Sequence, residues 1–435
     1  MSSEIQDIKN IISTREWTSM HKRFASSIRR TTAFALGNVD DMLSYSPLNP
    51  GESIASFQAK PKGYRLIVQR ILQSYMDGIS GLPVSRKAPN FPLYDLYPIV
   101  ENLHLQRIQM TVEIAGTAAV LPIWNGEEIR YKIYDATQLI PVVQNDKLYA
   151  LGVYEDDAEK EITIWTPWSI TYLKDGAETS IPNPYQIIPF AIYRAAIDPN
   201  SWYGYSELAS YVPNNIAVNK MLTDLQQLAR DQSYSQLVYK GPEITSNDPE
   251  NRDGALRIKT GPDQILHIDT TADLFTVTPD ASIAEINEAA DSLAQKTYED
   301  AAIDSMIAAQ GSESSGFALK IKRTPYLNKM RGKRTLFEEA DEFLVEMAVL
   351  LKEVGVTGIG GSLSPDFTIE TEFDDSVLSP ETATEDQADG TYALEKGLAS
   401  RIDLIQERYN VDRPTAIEMA ARIDQDAAIG SKNGL

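Results

Sequence analysis

The hydrophobic pattern along this chain changes period several times, and each change marks a change of element. In KGYRLIVQRILQSYMDGIS (62–80), Leu66, Ile67, Ile71, Leu72, Tyr75 and Ile79 recur at helical spacing, and Gly78 with the following SGLP closes the run. A further helix is expected over 95–110 (DLYPIVENLHLQRIQM). From 111 to 195 the texture becomes β: TVEIAGTAAVLPIW, IRYKIYDATQLIPVV, LYALGVYE and EITIWTPWSITYLKDG are rich in Val, Ile, Thr, Tyr and Trp. The turn signals NG, ND, EDD and DG separate these runs, which predicts an antiparallel meander rather than βαβ units.

Helical spacing then returns. Beyond Pro213, expected in the first turn, Val218, Met221, Leu222, Leu225, Leu228 and Ala229 form one stripe that runs to about 236. Residues 238–282 (VYKGPEI, ALRIKTGPDQILHID, DLFTVTPD) read as short strands joined by Gly-Pro and Asp-Pro turns. A second long helix follows, with Ile283, Ile286, Ala290, Leu293, Ala294 and Thr297 aligned, and GSESSG (311–316) ends it. A third helix is expected from 316 to about 354, disturbed at Thr324–Pro325 and stopped by VGVTGIGGS. FTIETEF supplies a last strand before an acidic helical tail, 379–435. The fold class is therefore α+β.

Composition narrows what such a chain can do. With no cysteine there is no disulfide, thiolate metal site or thiol nucleophile, which fits a cytoplasmic setting. No apolar window is long enough to cross a bilayer, so no membrane partner is expected. Forty basic residues against 62 acidic give a net charge of −22, which argues against tight binding of phosphates by the surface as a whole.

Candidate chemistry is sparse. VGVTGIGGS follows a helix and precedes a strand, the reverse of a dinucleotide fingerprint, and no GxxxxGK[ST] occurs. NDPENRDG resembles a calcium loop only until Gly254 is aligned; Pro249 and Thr260 then stand where carboxylates are required. His21, His104 and His267 lie far apart and form no zinc motif, and no GxSxG elbow is present. Acidic clusters at 155–161 and 372–375 read as solvated turns. No cofactor, metal or catalytic activity is expected. The strongest local anomaly is the basic stretch Lys320, Lys322, Arg323, Lys329, Arg331, Lys333 and Arg334, with no acid among them. Helical geometry puts Lys320, Arg323, Arg331 and Arg334 on one face, to meet DNA or a neighbouring subunit's acids.

The order of parts carries more than any motif. IPFAIYRAAIDPNSWYGYSEL (188–208) leads into a long helix, then a small β module, a returning helix, a flexible segment, SSGFALKIKR (314–323) and ALEKGLASRIDLIQERYNVD (393–412). This arrangement resembles the portal proteins of tailed bacteriophages. The resemblance implies a wing at 1–205, stem helices at 206–237 and 283–307, and a clip at 238–282. It further implies a tunnel loop at 308–315, a return into the wing at 316–378 and a crown at 379–435.

It also implies a ring of twelve copies at one capsid vertex, in the virion and, during assembly, in the host cytoplasm. Double-stranded DNA passes through such a ring without sequence specificity. The terminase large subunit and then a head-completion or adaptor protein dock on the clip, here Glu243, Asp248, Arg252 and Asp263. Major capsid and scaffolding proteins are further partners. The tunnel loop would present Gln310, Gly311, Ser312, Glu313 and Ser314, with Glu313 its one charge. Another virion structural protein, such as a minor head or adaptor protein, remains an alternative class. A metal-dependent nuclease is a third.

Overall fold

The computed structural model describes residues 3–13, 15–82, 84–87, 100–101, 103–145, 147–156, 161–175, 177–233, 236–240, 273–277, 283–303, 316–357 and 369–373, with scattered positions between 400 and 421. Five N-terminal helices come first: α1 (Ser3–Ser13), α2 (Arg15–Ala35), α3 (Val39–Ser44), α4 (Ile54–Ala59) and α5 (Ile67–Asp77). Strand β1 (Val84–Lys87) and helix α6 (Leu105–Ala115) lead to β2 (Thr117–Trp124), β3 (Ile129–Asp135) and β4 (Leu139–Gln144). Strands β5 (Lys147–Asp156), β6 (Glu161–Trp165), β7 (Ser169–Lys174), β8 (Ala177–Pro182) and β9 (Ala191–Arg194) follow. The remainder comprises α7 (Glu207–Ser233), β10 (Gln236–Lys240), β11 (Asp273–Val277), α8 (Ile283–Asp300), α9 (Gly316–Thr357) and β12 (Glu370–Phe373).

The meander is real but shorter than expected. Strands β4 to β8 form a five-stranded antiparallel sheet in chain order, whereas β2 sits between β3 and β9 in a separate three-stranded sheet. The run IRYKIYDATQLIPVV is therefore not one strand. Asp135 accepts from the Thr137 N–H at 2.7 Å, and Gln138 Oε1 accepts from the Asp135 N–H at 3.1 Å. This reciprocal cap turns 136–138 into one 3-10 turn, and the chain passes from one sheet to the other. The expected turn residues do their work within the five-stranded sheet: Asn145 and Asp175 both hold positive φ between paired strands.

Residues 111–115 are helical, not extended as expected. Ile108 and Val112 continue the buried stripe of Leu105, so packing outweighs the β-branched composition. Gly116, at φ 81°, stops the helix where an added Cβ would lie 2.7 Å from the Gly204 carbonyl oxygen. Residues 95–99 and 102 of the expected 95–110 helix lie outside the described residues.

The long helices also depart from expectation. Pro213 is the seventh residue of α7 rather than a first-turn residue, and α9 runs unbroken through Pro325. Burial of Tyr326, Met330, Phe337 and Leu344 along α9 offsets what the proline costs. Helix α8 ends at Asp300, short of 307. Ile303 N–H bonds the Tyr298 carbonyl and Ala302 N–H bonds that of Glu299, a Schellman end with Ala302 at φ 63°. An alanine in this left-handed position costs about 1 kcal/mol.

The main core gathers Phe34, Ile67, Ile71, Tyr75, Ile108, Val112, Tyr193, Val212, Ala294, Tyr326 and Phe337 from six helices and β9. A second core, with Tyr134, Leu139, Trp165, Phe190 and Tyr203, fills the space between the two larger sheets. Helix α1 covers the outer face of the five-stranded sheet, where Ile8 packs on Ile140, Val142, Ala150, Ile162 and Ile164. That burial is worth about 1.5–3 kcal/mol.

The segment leading into α5, together with the first turn of that helix, docks lengthwise on α7. The N–H groups of Val68, Arg65 and Gly63 donate to the side-chain oxygens of Asn215, Asn219 and Thr223, at 3.2, 2.8 and 3.2 Å. All three acceptors are buried, one helical turn apart. Gly63 is required by the close approach, since a Cβ there would lie 2.5 Å from the Leu222 carbonyl carbon. Gly63→Val is expected to cost about 1–3 kcal/mol through this overpacking, measured as a lower denaturation midpoint.

Candidate functional site: the paired long helices and their junction

Helices α7 and α8 run antiparallel. Tyr211 OH donates to the Asp300 carbonyl at 3.2 Å and Asn214 Nδ2 to Thr297 Oγ1 at 3.2 Å, so the start of α7 lies beside the end of α8. The chain leaving α7 enters β10, and β11 leads back toward α8. The two strands pair antiparallel from Gln236↔Val277 to Lys240↔Asp273. A helix hairpin thus carries a strand pair beyond its open end. Helix α8 has five acids and one base, and Glu285, Glu288, Glu299 and Asp300 are exposed.

At the opposite end of the hairpin, four elements meet in a buried polar junction. Lys333 of α9 places Nζ 2.9 and 3.1 Å from the Glu113 carboxylate of α6, 3.3 Å from Glu207 at the start of α7, and 3.2 Å from the Ala195 carbonyl. Lys329, one turn earlier, reaches Glu207 at 3.3 Å and the Tyr211 hydroxyl at 3.3 Å. The Tyr75 ring lies under Lys333, 4.9 Å from Nζ. Burial opposes the Lys333 charge, but Glu113 and Glu207 outweigh it and hold the ammonium above the ordinary lysine range.

The same aromatic residues hold the end of α8. Tyr75 OH donates to the Ala301 carbonyl at 3.0 Å, next to the Asp300 carbonyl bound by Tyr211. The last carbonyls of α8 are thereby satisfied by side chains from α5 and α7. Tyr326 OH, from α9, donates to the Ser74 carbonyl of α5 at 2.6 Å. Helices α5, α7, α8 and α9 are fixed to one another within a few turns of where the chain leaves residue 303.

A second buried pair ties α9 to the β1–β12 pair. Arg86 of β1 contacts both carboxylate oxygens of Asp341, at 2.7 and 3.0 Å, and Thr371 Oγ1 donates to the same carboxylate at 3.0 Å. Along α9, Glu338, Glu342 and Glu346 accept from the backbone N–H groups of Phe373, Thr371 and Ile369. Burial raises the Glu338 and Glu346 carboxyls, and these backbone donors partly reverse it.

The residues expected from sequence to act on DNA or partners fall into three groups. Gln310, Gly311, Ser312, Glu313 and Ser314 lie outside the described residues, as do Glu243, Asp248, Arg252 and Asp263. Lys320 belongs to the α9 backbone, with its side chain outside the described residues, and Arg323 is half-buried. Arg331 is exposed, whereas Arg334 is buried and its Nε donates to the Gly78 carbonyl at 3.1 Å. Arg334 thus departs from the shared outward face expected of it. With the neighbouring Lys333, it serves contacts within its own chain.

Glu113, Glu207 and Tyr211 are not singled out by the sequence, and Tyr75 enters it only as one position of the α5 stripe. Glu113 was the detectable one, a carboxylate within the otherwise apolar stretch Val112–Ala115.

Comparison with known proteins agrees with this architecture. Residues 102–430 match the model of a family described as phage portal protein, SPP1 Gp6-like. The match spans well over half of the chain, and the protein belongs to that family. Among curated proteins there is no significant match.

Solved structures similar to it include the neck of an empty gene transfer agent particle computed with C6 symmetry, at 12% identity and TM-score 0.50. That alignment covers 79% of this chain and 89% of the other. The neck of the native gene transfer agent particle computed with C12 symmetry aligns at 12% identity and TM-score 0.48, over 78% and 88% of the two chains. The virion of the native particle aligns at 11% identity and TM-score 0.43, over 77% and 86%. At 12% identity, the likeness to the neck of the empty particle is one of fold.

Proposed function

We propose that this protein assembles as a twelve-membered ring at one vertex of a virion capsid and forms the conduit for double-stranded DNA. DNA enters during packaging and leaves during ejection through the same ring. The observation that carries the reading is the antiparallel α7–α8 hairpin bearing the β10–β11 pair, within a chain of the portal family. The helices act as stem, the segment 238–282 as the clip that docks the terminase large subunit and later an adaptor protein, and 308–315 as the tunnel loop. Residues 379–435 form the crown, while the capsid and scaffolding proteins meet the wing.

The physics of sliding supports this assignment. A duplex moves freely past a wall that offers few cations, and the acids of α8 outnumber its single lysine. Glu313, repeated around the ring, would give a collar of negative charge beside small Gly and Ser residues. The buried junction gives each subunit a rigid base from which the loop projects. Movement of DNA draws its energy from the packaging motor.

Electron microscopy of the purified full chain tests the reading. The expected image is a ring with a central opening as wide as a DNA duplex, with the 308–315 segment at its narrowest point. A monomer, or a closed assembly without such an opening, would overturn it.

A further inference from the structure

One helix reverses the electrostatic character of the molecule. In a chain of net charge −22, α2 carries Arg15, Lys22, Arg23, Arg29 and Arg30 against Glu16 alone. Its inner face is committed to the core: Phe24 packs on Tyr203 with ring centroids 5.2 Å apart, and Thr31 and Phe34 are buried. Its outer face is not. Lys22, Arg23 and Arg29 are exposed, and Lys22, Arg23, Ser26, Ser27 and Arg30 together line one surface groove. Lys22, Ser26 and Arg30 follow the i, i+4, i+8 path of one stripe, about 12 Å long, and Arg23 and Ser27 lie on the row beside it.

Several cations elsewhere in the fold are matched by acids. Lys60 is paired with Glu52 and Asp224, Lys220 with Asp224, Arg86 with Asp341, and Lys333 with Glu113 and Glu207. In the α2 groove no such matching occurs: among the described residues, Lys22, Arg23 and Arg30 form no salt bridge. The Nε of Arg30 is shielded from solvent and has no hydrogen-bond partner among them. A shielded guanidinium nitrogen without an acceptor is costly unless an acceptor arrives from outside.

The composition of the stripe indicates what that acceptor is. Three cations with two serine hydroxyls between them are rich in donors for oxygens, in the mixture used for phosphodiester backbones. Among the described residues, the groove lining has no Asn or Gln to read a base edge. Nor do the described lining residues include an aromatic or aliphatic side chain to form the dry centre of a protein–protein contact.

We propose that the outer stripe of α2 is a binding site for the phosphate backbone of duplex DNA, independent of sequence and separate from the channel wall. It would hold a stationary stretch of duplex against the body of the protein while the acidic α8 surface lets another stretch slide. The inference rests on the reading that this chain handles duplex DNA, and it adds a second, retaining contact to the passing one.

The test uses the full-length assembled protein and a short fluorescent duplex of random sequence, with anisotropy followed across a salt series. Neutralising the stripe with Lys22→Gln, Arg23→Gln and Arg30→Gln should weaken binding at least tenfold at low salt. It should also make the log K against log salt slope shallower by about 2.7, for three lost phosphate contacts. Ser26→Asp, at an exposed position, should weaken binding by setting a carboxylate among the three cations, one helical turn from Arg30, while all three side chains are retained, which guards against misfolding of the triple variant.

Unchanged affinity and salt slope in both variants would overturn the proposal. Loss of assembly by either variant would overturn it too, because the stripe would then serve contacts between copies. A ring with a duplex-wide opening that still binds DNA normally in the variants defeats only this inference. Absence of the opening defeats the channel reading, whatever the stripe does.

Discussion

Lys333→Met is expected to destabilise the protein by about 3–5 kcal/mol, because it leaves the Glu113 carboxylate buried without its cation. Glu113 and Lys333 are almost wholly shielded from solvent, with side-chain exposures of 0% and 5%, so little screening softens the loss. Glu207 retains Lys329 at 3.3 Å, which confines the damage to Glu113. The double variant Glu113→Met with Lys333→Met should therefore recover most of the stability, since two apolar groups replace both charges together. Denaturant midpoints of the four proteins in this cycle measure both effects.

The pH dependence has a definite sign. The folded-state value of Lys333 is raised, so its contribution is complete below the ordinary lysine value of 10.5 and is lost as pH climbs through the elevated value. The Lys333→Met variant should show a flatter alkaline limb than the parent.

Asp341→Ala is the second large effect, again about 3–5 kcal/mol. Asp341 is fully buried, and its removal strips both contacts from the Arg86 guanidinium and one from the Thr371 hydroxyl. Strands β1 and β12 pair only with each other among the described residues, over four residues each. So short a pair depends on α9 for its place. Amide exchange of residues 84–87 and 370–373 should accelerate in the variant far more than that of the five-stranded sheet. Equal acceleration throughout would mean that Asp341 supports the fold as a whole instead.

Much of the fold could be read from local pattern. The stripe of α5, the turns at Asn145 and Asp175, the strand-rich middle and the helix–β–helix order all rest on residues close together in sequence. What escaped was decided at long range or by a single cap. Nothing near Ala302 announces a helix end, because an alanine at positive φ is held there by Tyr75 and Tyr211 from distant elements. The split between β3 and β4 depends on one aspartate and one glutamine reaching for each other's backbone.

The candidate site divides the same way. The basic stretch 320–334 was visible as charge, but a sequence carries no sign that Lys333 and Arg334 point inward while Arg331 stays exposed. The acids that claim Lys333 lie 220 and 126 positions earlier in the chain. The basic run of α2 was equally visible as letters, but it acquires meaning only when its inner face is seen to be occupied.

The line of side chains that clasps extended backbone along α9, Glu338–Glu342–Glu346 on Phe373, Thr371 and Ile369, has three rungs among the described residues. Four helical residues advance about 6.0 Å, while two extended residues advance about 6.6–6.8 Å. Each rung therefore slips by roughly 0.7 Å against its partner, and a fourth would carry the mismatch to about 2 Å, beyond what a hydrogen bond tolerates. Such a clasp behaves as a vernier: it fixes where along the helix the strand sits, because only one alignment brings three marks into coincidence. A strand held this way cannot creep by a single residue under an axial pull; it stays in place or lets go altogether.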